Sequence, residues 1–60
     1  MSVEIYLVIV NNEVVATSEH HNTAQESARI WSTGRYPEAK VIYLPNRTVQ
    51  GIWLDGIRIQ

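Results

Sequence analysis

Cysteine is absent from this chain of 60 residues, which excludes disulfides and thiolate zinc sites together. Proline and glycine are scarce, at two and three residues, against 45% hydrophobic residues; that balance belongs to a folded chain. Charge of one sign is also missing. Five Lys and Arg against six Asp and Glu leave a formal net charge of -1. The chain has neither the basic excess of a nucleic-acid binder nor the acidic excess of a DNA mimic. Long apolar runs are lacking as well. Residues 3–10 fall far short of the ~20 needed to span a bilayer, and Glu4 interrupts them. No basic segment precedes an apolar one at the N-terminus, so a cytoplasmic protein with no membrane partner is expected. Residues 1–60 read as one small domain. A chain this short buries only about 60% of its unfolded surface, and without disulfides it leans on an oligomer, a metal or very regular packing.

What the chain does have is two tight-turn signals. Asn11-Asn12 follows the β-branched and aromatic run 3–10, and Asp55-Gly56 separates residues 49–54 from 57–59. Two-residue loops of these types favour primed turns, because their residues tolerate positive φ. With Asn11-Asn12 as the loop, Val10 faces Glu13, Ile9 faces Val14, Val8 faces Val15, Leu7 faces Ala16 and Tyr6 faces Thr17. In the second hairpin Leu54 faces Ile57, Ile52 faces Ile59 and Trp53 faces Arg58. Strand side chains alternate, so each hairpin sorts its residues onto two faces.

Between the hairpins, Thr23-Ala24-Gln25-Glu26 matches a capping box, and the spacing predicts a helix over 24–33 with Gly34 just past its end. Ala24, Ser27, Ala28 and Trp31 share one face of that helix, with Ile30 at its edge. Gln25, Glu26, Arg29 and Thr33 point away. Arg35-Tyr36-Pro37 is a connection, since Pro37 cannot continue the helix. Residues 39–44 read as a third strand, followed by a loop at Pro45-Asn46-Arg47-Thr48. The expected fold is therefore α+β: an antiparallel sheet of four to five strands, ββαβββ in sequence, with one helix packed on one face.

One short helix covers only one face. The set with Ile5, Leu7, Ile9, Val14, Ile52, Leu54, Ile57 and Ile59 is the more apolar, and it is expected to pack under Trp31 and Ile30. Tyr6, Val8, Val10 and Val15 then lie on the open side, beside Trp53 and Arg58 if the hairpins adjoin. These six are the candidate partner-binding residues, because contiguous exposed apolar surface usually marks an interaction site. Three occupants remain open: a partner protein, a second copy forming a homodimer, or the rest of the chain completing an ordinary core. On this reading Val8→Glu disrupts assembly or target binding and leaves the fold largely intact.

Residues with chemical potential are few. His20-His21 is a conspicuous pair, but successive side chains point apart and no third ligand is evident, so neither metal nor cofactor is expected. Ser18-Glu19-His20 holds the residue types of a catalytic triad at neighbouring positions, which cannot supply nucleophile–base–orienter geometry. The helix start at Thr23 lacks the glycine-rich loop and lysine of a phosphate site. A non-enzymatic protein is expected. Arg29, Arg35, Lys40 and Arg47 supply a charged surface, and Tyr36, Tyr43 and Trp53 could stack on bases. That combination leaves a single-stranded nucleic-acid-binding sheet module as the alternative function. No run of adjacent basic residues accompanies it.

Ala16-Thr17-Ser18 ending a strand, Ala28-Arg29-Ile30 in the helix and Gly51-Ile52-Trp53-Leu54 before Asp55-Gly56 together resemble small phage-encoded inhibitors. The nearest resemblance is to a sheet-plus-helix class of anti-CRISPR proteins. The His20-His21 loop and the Arg35-Tyr36-Pro37 connection fall outside it. The resemblance implies a small non-catalytic accessory protein of a phage or mobile element, acting in the host cytoplasm. It would occlude a surface on a host protein or nucleoprotein complex, with Arg29, Arg35, Lys40, Arg47, Trp53 and Arg58 as candidate contacts.

Overall fold

The computed structural model describes residues 4–34 and 38–60. Val3 and the Arg35-Tyr36-Pro37 connection, including Arg35 and Tyr36 as candidate contacts, lie outside them. The elements run β1 (Tyr6–Val10), β2 (Glu13–Ser18), α1 (His21–Ser32), β3 (Ala39–Tyr43), β4 (Thr48–Leu54) and β5 (Ile57–Arg58). They form a five-stranded sheet of order β2-β1-β3-β4-β5 with every pairing antiparallel. The expected α+β fold is the one observed. Because β3 inserts between the two hairpins, Trp53 is separated from β1 by a whole strand.

Both turn assignments hold. Asn11 and Asn12 have φ of 55° and 64°, and Asp55 and Gly56 have 51° and 76°. Positive φ at both central residues is the primed geometry whose twist matches the flanking strands. Leu54 pairs with Ile57 and Trp53 with Arg58, and Ile59 donates its N–H to the Ile52 carbonyl at 2.8 Å. In the first hairpin Val10 pairs with Glu13 and Ile9 with Val14 as expected, but Val8 then pairs with Ala16, Leu7 with Thr17 and Tyr6 with Ser18. Val15 is the extra residue of a β-bulge, and one inserted residue changes every later partner on the strand. A second bulge, at Gln50, shifts the β3–β4 pairing between Val41 and Ile42. Val8 pairs directly with Val41, so the two bulges flank the same row of the sheet.

The helix begins about one turn earlier than the capping box suggests. His20 is the N-cap without a side-chain cap bond, and Thr23 lies inside the helix. Ser18 takes over the local work: its Oγ accepts the His20 N–H at 3.0 Å and donates to the His20 carbonyl at 3.1 Å. His21 then gains contacts that reward the extra turn, an edge-on ring contact with Tyr6 at 5.4 Å and a 3.1 Å approach to Gln25. At the other end Gly34 has φ 71° just past Thr33, the left-handed exit expected.

The face assignment is reversed. The helix lies on Val8, Val10, Val41 and Ala39, with Tyr6, Val15, Ala16, Trp31 and Trp53 packed around them. Gln25, expected to point away, is buried, whereas Ile30 is 59% exposed. The reason is volume. The buried helix residues are Ala24, Gln25, Ala28 and Ser32, so the helix backbone comes close and the strands beneath must present small side chains. Valines, Ala39 and the buried Gly51 meet that demand. The isoleucines and leucines of the other set would hold the helix away.

Candidate functional site

The other side of the sheet is where the bulky apolar residues go. Val14, Leu44, Val49, Leu54, Ile57 and Ile59 are each at least 40% exposed, and strand alternation places all six on the face away from α1. Between them run two cross-strand rows. Leu7 pairs with Ile42, which pairs with Val49; Ile9 pairs with Lys40, which pairs with Ile52. Ile5 and Leu44 extend the face at the far end, where the Leu44 N–H donates to the Ile5 carbonyl at 2.9 Å.

This distribution inverts the ordinary one. The buried apolar residues on the helix side are Val8, Val10, Ala24, Ala28, Ala39 and Val41, none larger than valine. Apart from Ile30 on the helix, the leucines and isoleucines of the described residues stand on the open face. In an antiparallel sheet with one face in water, that face normally alternates to polar. Here the exposed apolar residues follow one another across the strands and are not scattered singly.

Charge enters the face at one end. Lys40 occupies the row nearest the two primed turns, and its Nζ lies 3.7 Å from the Glu38 carboxylate. With Ile9, Asn11 and Asn12 these two residues line a cavity of about 230 Å³. The polar corner therefore forms a rim beside the apolar area. Thr17, paired with Leu7 on the edge strand β2, supplies another polar position at the margin.

The six residues expected on the open side are instead structural parts of the covered side. Val8 is fully buried and Val10 nearly so. Tyr6 sits between His21 and Tyr43, with a tilted 5.2 Å ring contact to the latter. The Trp53 Nε1–H donates to Gln25 Oε1 at 2.6 Å, while Gln25 Nε2 donates to the Gln50 carbonyl at 3.0 Å. Arg58 caps that same bulge carbonyl with Nη2 at 2.8 Å and donates from Nε to the Gln60 carbonyl at 3.0 Å. The bulge frees a carbonyl from the β3–β4 ladder, and Gln25 and Arg58 both donate to it. Among the described residues no buried side-chain polar atom lacks a partner.

The basic candidates do not converge. Arg29 is on the outer surface of the helix, bound to Glu26 through Nε at 3.1 Å and through Nη2. That hydrogen bond, with the attraction of opposite charges, lowers the Glu26 carboxyl pKa and raises that of Arg29. Lys40 lies on the open sheet face, and Arg47 sits in the β3–β4 turn with φ 58°. The His20-His21 pair is divided between an exposed N-cap and a helix position turned to Tyr6 and Gln25. No group of three or more metal-ligating side chains occurs among the described residues. No helix among them is long and apolar enough to cross a membrane.

The open-face residues Leu7, Ile42, Val49, Ile52, Leu54 and Ile57 were assigned by sequence reasoning to the core or left unassigned. A signal for them existed. Small residues at helix positions 24, 28 and 32 require small sheet partners, and only the strand phase holding Ala39, Val41 and Gly51 supplies them. Comparisons with protein-family models, with curated proteins and with solved structures found no match.

Proposed function

We propose that this chain is a non-catalytic binding protein whose working surface is the open face of its sheet, docked on an apolar area of another protein molecule. The observation that carries the reading is the inversion of side-chain size. Valine and alanine fill the covered core, while leucine and isoleucine face outward. The most exposed of them, Leu44, Leu54, Ile57 and Ile59, are 40–66% exposed and forfeit about half of the roughly 1.5–3 kcal/mol that full burial of each side chain contributes. In the use implied by the resemblance to small phage-encoded inhibitors, the docked protein occludes a site on a host complex. The sheet face takes the place of the scattered arginines as the contact surface.

Ile52→Glu tests this. Residue 52 pairs with Lys40 across the strands, so the substitution sets opposite charges side by side and preserves the monomer fold. Affinity capture with wild-type bait is compared with Ile52→Glu and with Arg29→Glu on the outer helix surface. Partners are expected to be lost with the first variant and kept with the second. Retention of every partner by Ile52→Glu, or their loss with Arg29→Glu, overturns the reading.

A further inference from the structure

Resting on that reading, we infer that the molecule docked on the open face is a second copy of this chain. Two sheets pack face to face into a four-layer α–β–β–α homodimer with the helices outside.

Size comes first. The five strands have 5, 6, 5, 7 and 2 residues; at ~3.4 Å per residue and about 4.8 Å between strands they make a footprint of roughly 400 Å². The accessible area of a side-chain-covered surface exceeds that footprint. Two copies therefore remove roughly 800–1,300 Å² from water, which reaches the lower edge of the range of specific interfaces.

Composition points the same way. Homodimer interfaces resemble a domain core cut in half, depleted of charge at the centre and polar at the rim. The central row, Leu7-Ile42-Val49, is wholly apolar, and Lys40 is already held by Glu38 at the end of the face. Among the described residues, the face carries no further charge beyond the Lys40–Glu38 pair that would select a different partner. Isologous pairing needs only that one patch match itself, and a face of aliphatic side chains does so by interdigitation at ~10 Å between sheets.

Need supplies the last argument. A chain of 60 residues without cysteine, whose fully buried apolar residues stop at valine, has a thin core of its own. The remaining apolar surface must be covered wherever the chain is made. Another copy is always present there in matching amount.

Sedimentation equilibrium from 1 µM to 1 mM tests the dimer, with far-UV circular dichroism as the check on fold. Wild type is expected to rise from 6.9 kDa to twice that mass with concentration. Ile52→Glu and Val49→Lys are each expected to weaken association at least 30-fold, and Arg29→Glu to leave it unchanged. Val49 is half exposed in the monomer, so its substitution reports on association even if Ile52→Glu unfolds. Wild type remaining at 6.9 kDa at 1 mM overturns the homodimer. In that event, binding of an apolar dye lost on Val49→Lys would leave docking on a different protein standing, whereas no dye binding would remove both. A dimer that survives both face substitutions also overturns the proposal, since its interface lies elsewhere.

Discussion

Replacing Gly51 by alanine probes a close approach between the sheet and the helix. A Cβ at this position would stand 2.6 Å from Gln25 Oε1, 2.9 Å from Nε2 and 3.2 Å from Cδ. The end of a glutamine usually swings aside at little cost, but this one is held. It accepts from Trp53 at 2.6 Å, donates to the Gln50 carbonyl at 3.0 Å and lies 3.1 Å from His21 Nε2. Moving it loses two or three hydrogen bonds at about 0.5–1.5 kcal/mol each and leaves the indole N–H short of a partner. Alanine offsets part of this, about 0.5–1 kcal/mol, through the lower chain entropy of the unfolded state. The net expectation is a loss of roughly 1–3 kcal/mol, a large share of the ~3–9 kcal/mol typical of a domain this size. A melt followed at 222 nm should then shift down by roughly 5–20 °C. The double-mutant cycle with Gln25→Ala isolates the cause. In the Gln25→Ala background the same glycine substitution should be neutral or slightly stabilising, giving strong coupling between the two sites. If Gly51→Ala melts at or above wild type, or costs as much without Gln25 as with it, the steric argument is wrong.

Two further outcomes follow from the same geometry. Val8→Glu places a carboxylate at a fully buried position within the apolar core cluster and should unfold the chain, contrary to the sequence-based expectation of a folded, binding-deficient protein; a native far-UV spectrum from this variant would refute the face assignment. Burial pushes the Tyr43 phenol pKa upward, with the Glu4 charge 3.5 Å away as the next contribution. Its folded pKa thus lies above the unfolded one, so the stability it contributes is complete below about pH 10 and is lost as pH rises through the folded value. Urea midpoints between pH 8 and 11.5 should fall less steeply for Tyr43→Phe, and parallel curves would contradict this.

The local code was largely legible. Asn11-Asn12 and Asp55-Gly56 announced primed turns because few residues accept positive φ, and the β-branched runs around them announced strands. From those two facts came the hairpins, and with the helix read from Thr23-Ala24-Gln25-Glu26 and Gly34 came the α+β class. The candidate site was not legible in the same way, although the premise behind it survives: one helix does leave an apolar sheet face open. The bulge at Val15 exchanged partners along β2, and no local residue marks it. The insertion of β3 between the hairpins depends on contacts far apart in sequence.

The identity of the covered face is the clearest case of a tertiary decision. Hydrophobicity alone favoured burying isoleucine and leucine, and by that measure the Leu7 side should have met the helix. The helix presents Ala24, Ala28 and Ser32, however, and close-packing selected the strand phase with Val8, Val41, Ala39 and Gly51. Sequence by itself determined the turns, the elements and the presence of one uncovered apolar face, because φ preference and alternation act over a few residues. Only the tertiary structure decided which face stays open, because that choice depends on the fit of volumes between segments that meet only when the chain is folded.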